Sequence, residues 1–204
     1  VIELKKNHLK AALLLAPTKD VRYYLNGVHL EFTASGDMHI VSTNGHSMFC
    51  GVVPAKDVRW TGPEKCGPLS MIIPGDTVKS AIKGARPETV VLAPILDGRY
   101  TLGDVLFAPV DGRFPDWRRD VYRNGERAPA QFEHAHLATA EAALRTWHQL
   151  PSMHPELCPN GDSAATMCGN DGTAFAIIMP IRDAAVARAT PFTPAPFDAV
   201  AEAA

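Results

Sequence analysis

The sequence predicts an α+β fold with helices on one face of antiparallel sheets, and three observations carry that prediction. The order strand, helix, three strands occurs twice within residues 1–109. Hairpin-type turns such as Asn44-Gly45 and Asp97-Gly98 separate short apolar runs. A third, partial copy of the same order begins near Ala130.

Residues 1–4 alternate polar and apolar and predict the first strand. Residues 7–16 predict a helix, because Leu9, Leu13 and Ala16 recur at helical spacing among the helix formers Ala11, Ala12, Leu14 and Leu15. Pro17 and Thr18-Lys19-Asp20 end it. Strands follow at 28–33, 38–43 and 47–53, divided by Ser35-Gly36-Asp37 and Asn44-Gly45. The second unit has a strand at 69–73 and a helix opened by Pro74-Gly75-Asp76 and stopped by Gly84. Pro74 suits a helix entrance, where a missing N–H costs nothing. Its three strands are expected at 89–93, 99–102 and 105–109, with turns at Asp97-Gly98 and Gly103-Asp104. A repeated order of this kind predicts a pseudo-symmetric domain of two like halves.

In the third unit a strand is expected at 131–134 and a helix at 136–147 on Leu137, Ala140, Leu144 and Trp147. A hairpin of 164–168 and 173–179 closes it. The intervening residues 148–162 carry Pro151, Pro155 and Pro159 and predict a poor strand. Residues 183–204, rich in Ala and Pro, are expected to be a flexible tail.

Composition excludes several classes. A 46% hydrophobic content supports an ordinary core, and no apolar run reaches the ~20 residues of a membrane helix. The apolar run at 11–17 is short and flanked by polar and basic residues, so no secretory signal or membrane partner is expected, and a cytoplasmic location is. Net charge is -2, which argues against a uniformly basic nucleic-acid binder but leaves room for a local basic face. The cysteines Cys50, Cys66, Cys158 and Cys168 form no C-x-x-C pair and predict free, partly buried thiols. His134 and His136 lie two apart, without a carboxylate or cysteine cluster alongside, so neither metal nor cofactor is expected. No G-x-S-x-G, Walker loop or H-E-x-x-H is present, and no catalytic set emerges.

Four ordered segments carry a family resemblance. Residues 20–27 read DVRYYLNG, residues 42–48 STNGHSM, residues 110–119 VDGRFPDWRR and residues 177–182 IIMPIR. They resemble, in order and separation, the motifs of the bacterial DNA sliding clamp (the β subunit of DNA polymerase III), the ring that tethers the replicative polymerase to DNA. The resemblance implies a DNA-clamp fold in a shortened form: residues 1–123 like the whole middle domain, and residues 124–182 like the end of the last. It implies a non-enzymatic replication or repair accessory protein that acts as a processivity factor. A clamp ring of this family holds twelve strand–helix–strand units, so a homo-oligomer of four copies is the implied ring.

The resemblance also implies two sites. The first is a cleft for the short hydrophobic peptides of polymerases, loader and repair proteins, matched by Leu25, Thr43, Gly45, His46, Met48, Pro115, Arg119, Ile178, Met179, Pro180, Ile181 and Arg182. Leu, Met and Ile make an apolar floor, while His and Arg orient the guest. The chain departs from the pattern at Ser47, where the family has arginine, and at Asp120 and Asp183, where it has apolar residues. Added carboxylates beside an apolar cleft shift partner preference away from acidic or purely hydrophobic tails. The second site is a non-specific contact with double-stranded DNA through Lys5, Lys6 and Lys10 of the first helix and Lys79 and Lys83 of the second, with Arg145 a weaker candidate. The loop Lys19, Arg22, Tyr23 and Tyr24 joins it. Binding through such cations is expected to be weak and steeply reduced by salt.

Overall fold

A computed structural model describes residues 1–60, 70–84, 86–121, 130–169 and 171–182. The first unit comprises β1 (Ile2–Lys5), α1 (Lys6–Leu13), β2 (Gly27–Phe32), β3 (Met38–Thr43) and β4 (Ser47–Val53). A two-residue strand β5 (Arg59–Trp60), which the residue pattern did not announce, pairs with β1. The second unit comprises β6 (Ser70–Pro74), α2 (Gly75–Ala81), β7 (Thr89–Pro94), β8 (Tyr100–Leu102) and β9 (Val105–Phe107). The third comprises α3 (His134–His148), β10 (Glu156–Asn160), β11 (Ser163–Cys168) and β12 (Ala174–Ile178).

The strands form a five-stranded sheet, β5-β1-β7-β8-β9, and a seven-stranded sheet, β10-β11-β12-β4-β3-β2-β6. Every described strand pair is antiparallel. The larger sheet runs unbroken from the first unit into the third, because β12 pairs with β4 from Ala174↔Gly51 to Ile178↔Ser47.

Two cores follow from strand alternation, which sends successive side chains to opposite faces. On one face Leu30, Ile40, Phe49, Ala176 and Ile178 meet Leu9, Ala12 and Leu15 of the first helical segment, Val78 of α2, and Ala140 and Leu144 of α3. Each fully buried Leu or Phe contributes about 1.5–3 kcal/mol. On the other face Leu25, Val41, Met48, Cys50, Ile72 and Ile177 form a second core under Phe114 and Trp117, and no residue of α1–α3 joins it.

The structure corrects four expectations. Residues 131–134 do not form a strand; α3 already begins at His134, and Gln131 contributes one backbone acceptor, to Ile181 N–H at 2.8 Å. Within 148–162, β10 does form despite Pro159, because it is an edge strand and its register shifts between Cys158 and Asn160, where the missing N–H is tolerated. Pro74 closes β6 and caps α2 rather than entering it. The first helix also ends at Leu13, and Leu14, Leu15 and Ala16 continue it as a tighter turn bonded to carbonyls three residues back. Cys50 is buried, and burial pushes its thiol up to about 12. Cys66 and residues 183–204 lie outside the described residues.

Candidate peptide cleft and basic helix face

The β3–β4 turn carries the cleft candidates Thr43, Gly45 and His46. Gly45 has φ +88°, a conformation open to glycine. Asn44 Oδ1 accepts from the N–H groups of His46 and Ser47 at 2.9 and 2.8 Å, and Thr43 Oγ1 donates to the Ser47 carbonyl at 2.9 Å. The turn therefore holds itself, leaving the His46 ring exposed. Across it lies the end of β12: Met48 pairs with Ile177, and Met179 N–H donates to the His46 carbonyl at 2.9 Å. Segments far apart in sequence thus become adjacent walls.

Of the cleft candidates, Leu25 and Met48 are buried together in the second core with Ile177. Thr43 and Met179 are half-buried at its rim, and Pro180 is buried. Ile181 is 42% exposed, and Arg182 Nε donates to the Asp162 carbonyl at 3.1 Å. Pro115 and Arg119 are exposed, on the segment that carries Phe114 and Trp117 over the sheet. Ile178 faces the helix-side core, whereas its neighbour Ile177 faces the second core beside Met48. Asp120 ends the 3-10 turn Trp117–Asp120, and Asp183 lies outside the described residues.

Residue patterns also missed neighbours of His46. The His136 ring stacks on it with centroids 5.5 Å apart, and Glu133 Oε2 lies 3.3 Å from His136 Nε2. No local signal marks His136 as a partner of a turn so distant in sequence. Ile177, in contrast, was within reach of the alternation rule applied to the same strand.

Below Trp117 lies a polar network. Its indole N–H donates to Glu31 Oε2 at 3.4 Å, and the Arg118 guanidinium stacks on the ring at 4.3 Å while pairing with the same carboxylate at 3.0 Å. Burial raises the Glu31 pKa, and hydrogen bonds and charge from Arg118 outweigh it, so the net direction is downward. A cavity of about 620 Å³ opens beside this network, lined by His29, Ser70, Asp111, Arg113 and Phe114 among others. Among the described residues no three His, Cys, Asp or Glu converge as a metal site.

The basic candidates divide between two places. Lys10, Lys79 and Lys83 are exposed on the helix side. Lys5 is exposed as the last residue of β1, not part of the helix. Lys6 Nζ instead reaches the carbonyls of Lys83 and Gly84, just past the end of α2, at 3.5 and 3.4 Å. Arg145 is held by Glu141 at 2.6 Å and by the Met153 carbonyl. The loop candidates lie with the cleft. Arg22 pairs with Asp20 at 2.7 Å, holding that carboxyl down to about 2, and donates to the Asn44 carbonyl. Tyr24 packs on the second core, Tyr23 is 58% exposed, and Lys19 is exposed.

No family model matches the chain. Among curated proteins it is similar to the beta sliding clamp of Salmonella typhimurium, 31% identical over 126 residues, covering 53% of this chain and 29% of that protein. It is likewise similar to the beta sliding clamp of Escherichia coli K12, 29% identical over 139 residues, covering 60% of this chain and 32% of the relative. The chain thus spans about a third of the length of these relatives. Among solved structures it superposes on the sliding clamps of Pseudomonas aeruginosa and Caulobacter crescentus, each with TM-score 0.62 and 17% identity. Those matches cover 88% and 89% of this chain and 65% of each clamp chain, and they establish the fold. Over about half of its length the chain is similar in sequence to bacterial beta sliding clamps, and it has the sliding-clamp fold.

Proposed function

We propose that this chain is a non-enzymatic, clamp-like accessory of DNA replication or repair, cytoplasmic, that captures short hydrophobic peptides on its cleft face and touches DNA phosphates through its helix face. The carrying observation is the pairing of Met48 with Ile177, extended by the Met179-to-His46 bond, which makes one surface of two distant motifs. Ile181, Met179 and the half-buried Tyr24 give that surface apolar character, and His46, Arg119 and Arg182 stand exposed beside them as orienting groups. Residues 1–123 serve as a whole clamp domain and 124–182 as a half-domain that completes the cleft.

The test is a fluorescence titration with a labelled peptide bearing a short hydrophobic clamp-binding tail. Met179→Glu should weaken binding at least tenfold while the circular dichroism stays that of the parent chain. Unchanged affinity in the variant rejects the cleft.

A second reading has its own support. Lys6, Arg22 and Arg145 are already committed to partners within the fold, which leaves Lys5, Lys10, Lys19, Lys79 and Lys83 as the exposed cations among the DNA candidates. A peptide-binding adaptor or decoy that modulates polymerases or a full clamp needs no ring and little DNA affinity. Retention of a DNA duplex at low salt, lost between 50 and 200 mM salt (a range over which ~6–10 phosphate contacts cost 10³–10⁵ in affinity), favours the first reading; no retention favours the second.

A further inference from the structure

We propose that residues 191–198 of this same chain, PFTPAPFD, dock on the peptide cleft and compete there with guests from solution. The inference rests on the cleft reading and adds its regulation: the cleft's first occupant is the chain's own tail.

Exposed apolar side chains single out the surface. Val21 is 96% exposed, Tyr23 58% and Ile181 42%, and all three belong to segments tied to the β3–β4 turn. Arg22, between the first two, donates to the Asn44 carbonyl, and Met179, two residues before Ile181, donates to the His46 carbonyl. Tyr24 and Phe175 lie half-buried on the second core below. Large apolar groups left in water around one turn mark a surface that a partner covers.

The position of the tail makes it the nearest partner. Arg182 follows Ile181 directly, so the chain beyond it departs from the rim of this surface. Phe192 comes ten residues after Arg182. Ten residues span about 17 Å as a random coil and up to about 33 Å when extended. The strands β12, β4 and β3 that carry the cleft are neighbours, and three such strands measure only about 10 Å from first to third. Every part of the surface is within reach.

The residues of the tail suit the place. Phe192 and Phe197 supply two rings for an apolar floor, and Pro191, Pro194 and Pro196 restrict the backbone before it docks, so less entropy is lost on binding. Between residues 190 and 204 there is no Lys, Arg or His, while Asp198 and Glu202 are acidic. The cleft margin answers with Lys19, Arg119 and His46, all exposed. Asp120 disfavours an acidic guest arriving from solution, and tethering offsets that handicap. At an effective concentration of about 1 mM, a contact with a dissociation constant of about 100 µM leaves roughly one cleft in ten open. The same weak contact gives a free peptide at micromolar concentration almost no occupancy.

The test compares the full chain with a variant carrying Phe192→Ser and Phe197→Ser together. In amide-resolved NMR spectra, the signals of His46, Met179 and Ile181 should differ between the two proteins, and the difference should persist on dilution, as a tethered contact requires. In a titration with a labelled hydrophobic peptide, the variant should bind about tenfold tighter than the parent, because its clefts are no longer mostly filled. Amide signals that coincide in the two proteins overturn the proposal; equal peptide affinity in both then leaves the cleft reading standing alone. A difference that vanishes on dilution also overturns it, since the tail then sits on a neighbouring copy. Shifted amides with no peptide bound by either protein support the docked tail and reject the capture of outside peptides.

Discussion

The His8 ring lies flat on the Trp147 indole, with centroids 3.7 Å apart and planes inclined by 13°. The neighbouring Asn7 side chain donates to the Trp147 carbonyl at 2.7 Å, and the indole N–H donates to Thr173 Oγ1 at 3.0 Å. α1 therefore holds α3 by a stacked ring and a bonded terminus together, which fixes the third unit against the first on the helix side as β4 and β12 do in the sheet.

That seating depends on a bare backbone. A Cβ at Gly51 of β4 would collide with the six-membered ring of Trp147. Gly51→Ala should therefore destabilise the fold by about 1–3 kcal/mol, the usual cost of overpacking a fixed ring. Trp147→Ala should cost about 3–5 kcal/mol through the cavity it leaves. Urea unfolding midpoints measure both, and a Gly51→Ala midpoint equal to the parent's would show that the ring is free to move.

Acid should loosen the fold through two histidines. Burial, with Lys5 and His148 nearby, lowers His8 to about 3, and burial lowers His29 to about 4 against the partial opposition of Glu31. Between pH 6.5 and those values the unfolded chain binds more protons than the folded one. Their contribution is complete above pH 6.5 and is lost as pH falls through the window, on the order of 2 kcal/mol per ring at pH 5. His29→Asn should flatten the stability–pH curve over this range, and an unchanged slope would place the sensitivity elsewhere.

Around Trp117, packing should outweigh charge. The Arg118–Glu31 pair is partly exposed, so Arg118→Ala is expected to cost no more than about 1 kcal/mol. Trp117 covers Ile177 and its neighbours at 6% exposure, so Trp117→Ala should cost about 3–5 kcal/mol. Equal losses in thermal unfolding would mean that the ion pair is worth far more than its exposure allows.

The helix lysines should set the salt response of DNA binding. Reversing both Lys79 and Lys83 to Glu should weaken a duplex complex at low salt and reduce the slope of log affinity against log salt by about 2. Lys6→Met should do less to DNA and more to stability, since that ammonium bonds the Lys83 and Gly84 carbonyls just past α2. Filter binding across a salt series separates the two.

The unit order, the three helices and most hairpins were legible because period and turn chemistry act locally: the bounds of β3 and β4 coincide with the expected 38–43 and 47–53. Local signals failed where tertiary pairing decided. Pro159 argued against a strand, yet an edge beside β11 accommodates it. The stretch 131–134 had strand character but no neighbouring strand to extend, so it became the lead into α3. Among the cleft candidates, motif matching named Ile178, whose side chain faces the helix-side core, while alternation turns Ile177 to the second core. The stack of His136 on His46 had no local signature, since it arises only when α3 is laid beside the β3–β4 turn.

The β4–β12 joint has a consequence for how the protein is made. β4 ends at Val53 and β12 begins at Ala174, so roughly 120 residues must leave the ribosome between the two. At about 5–20 residues per second, the growing chain carries an uncovered β4 for about 6–24 s. Throughout that interval the strand offers the same hydrogen-bonding edge, flanked by Met48 and Phe49, that β12 later takes. Until its own last hairpin arrives, the nascent protein is a template for strands that are not its own.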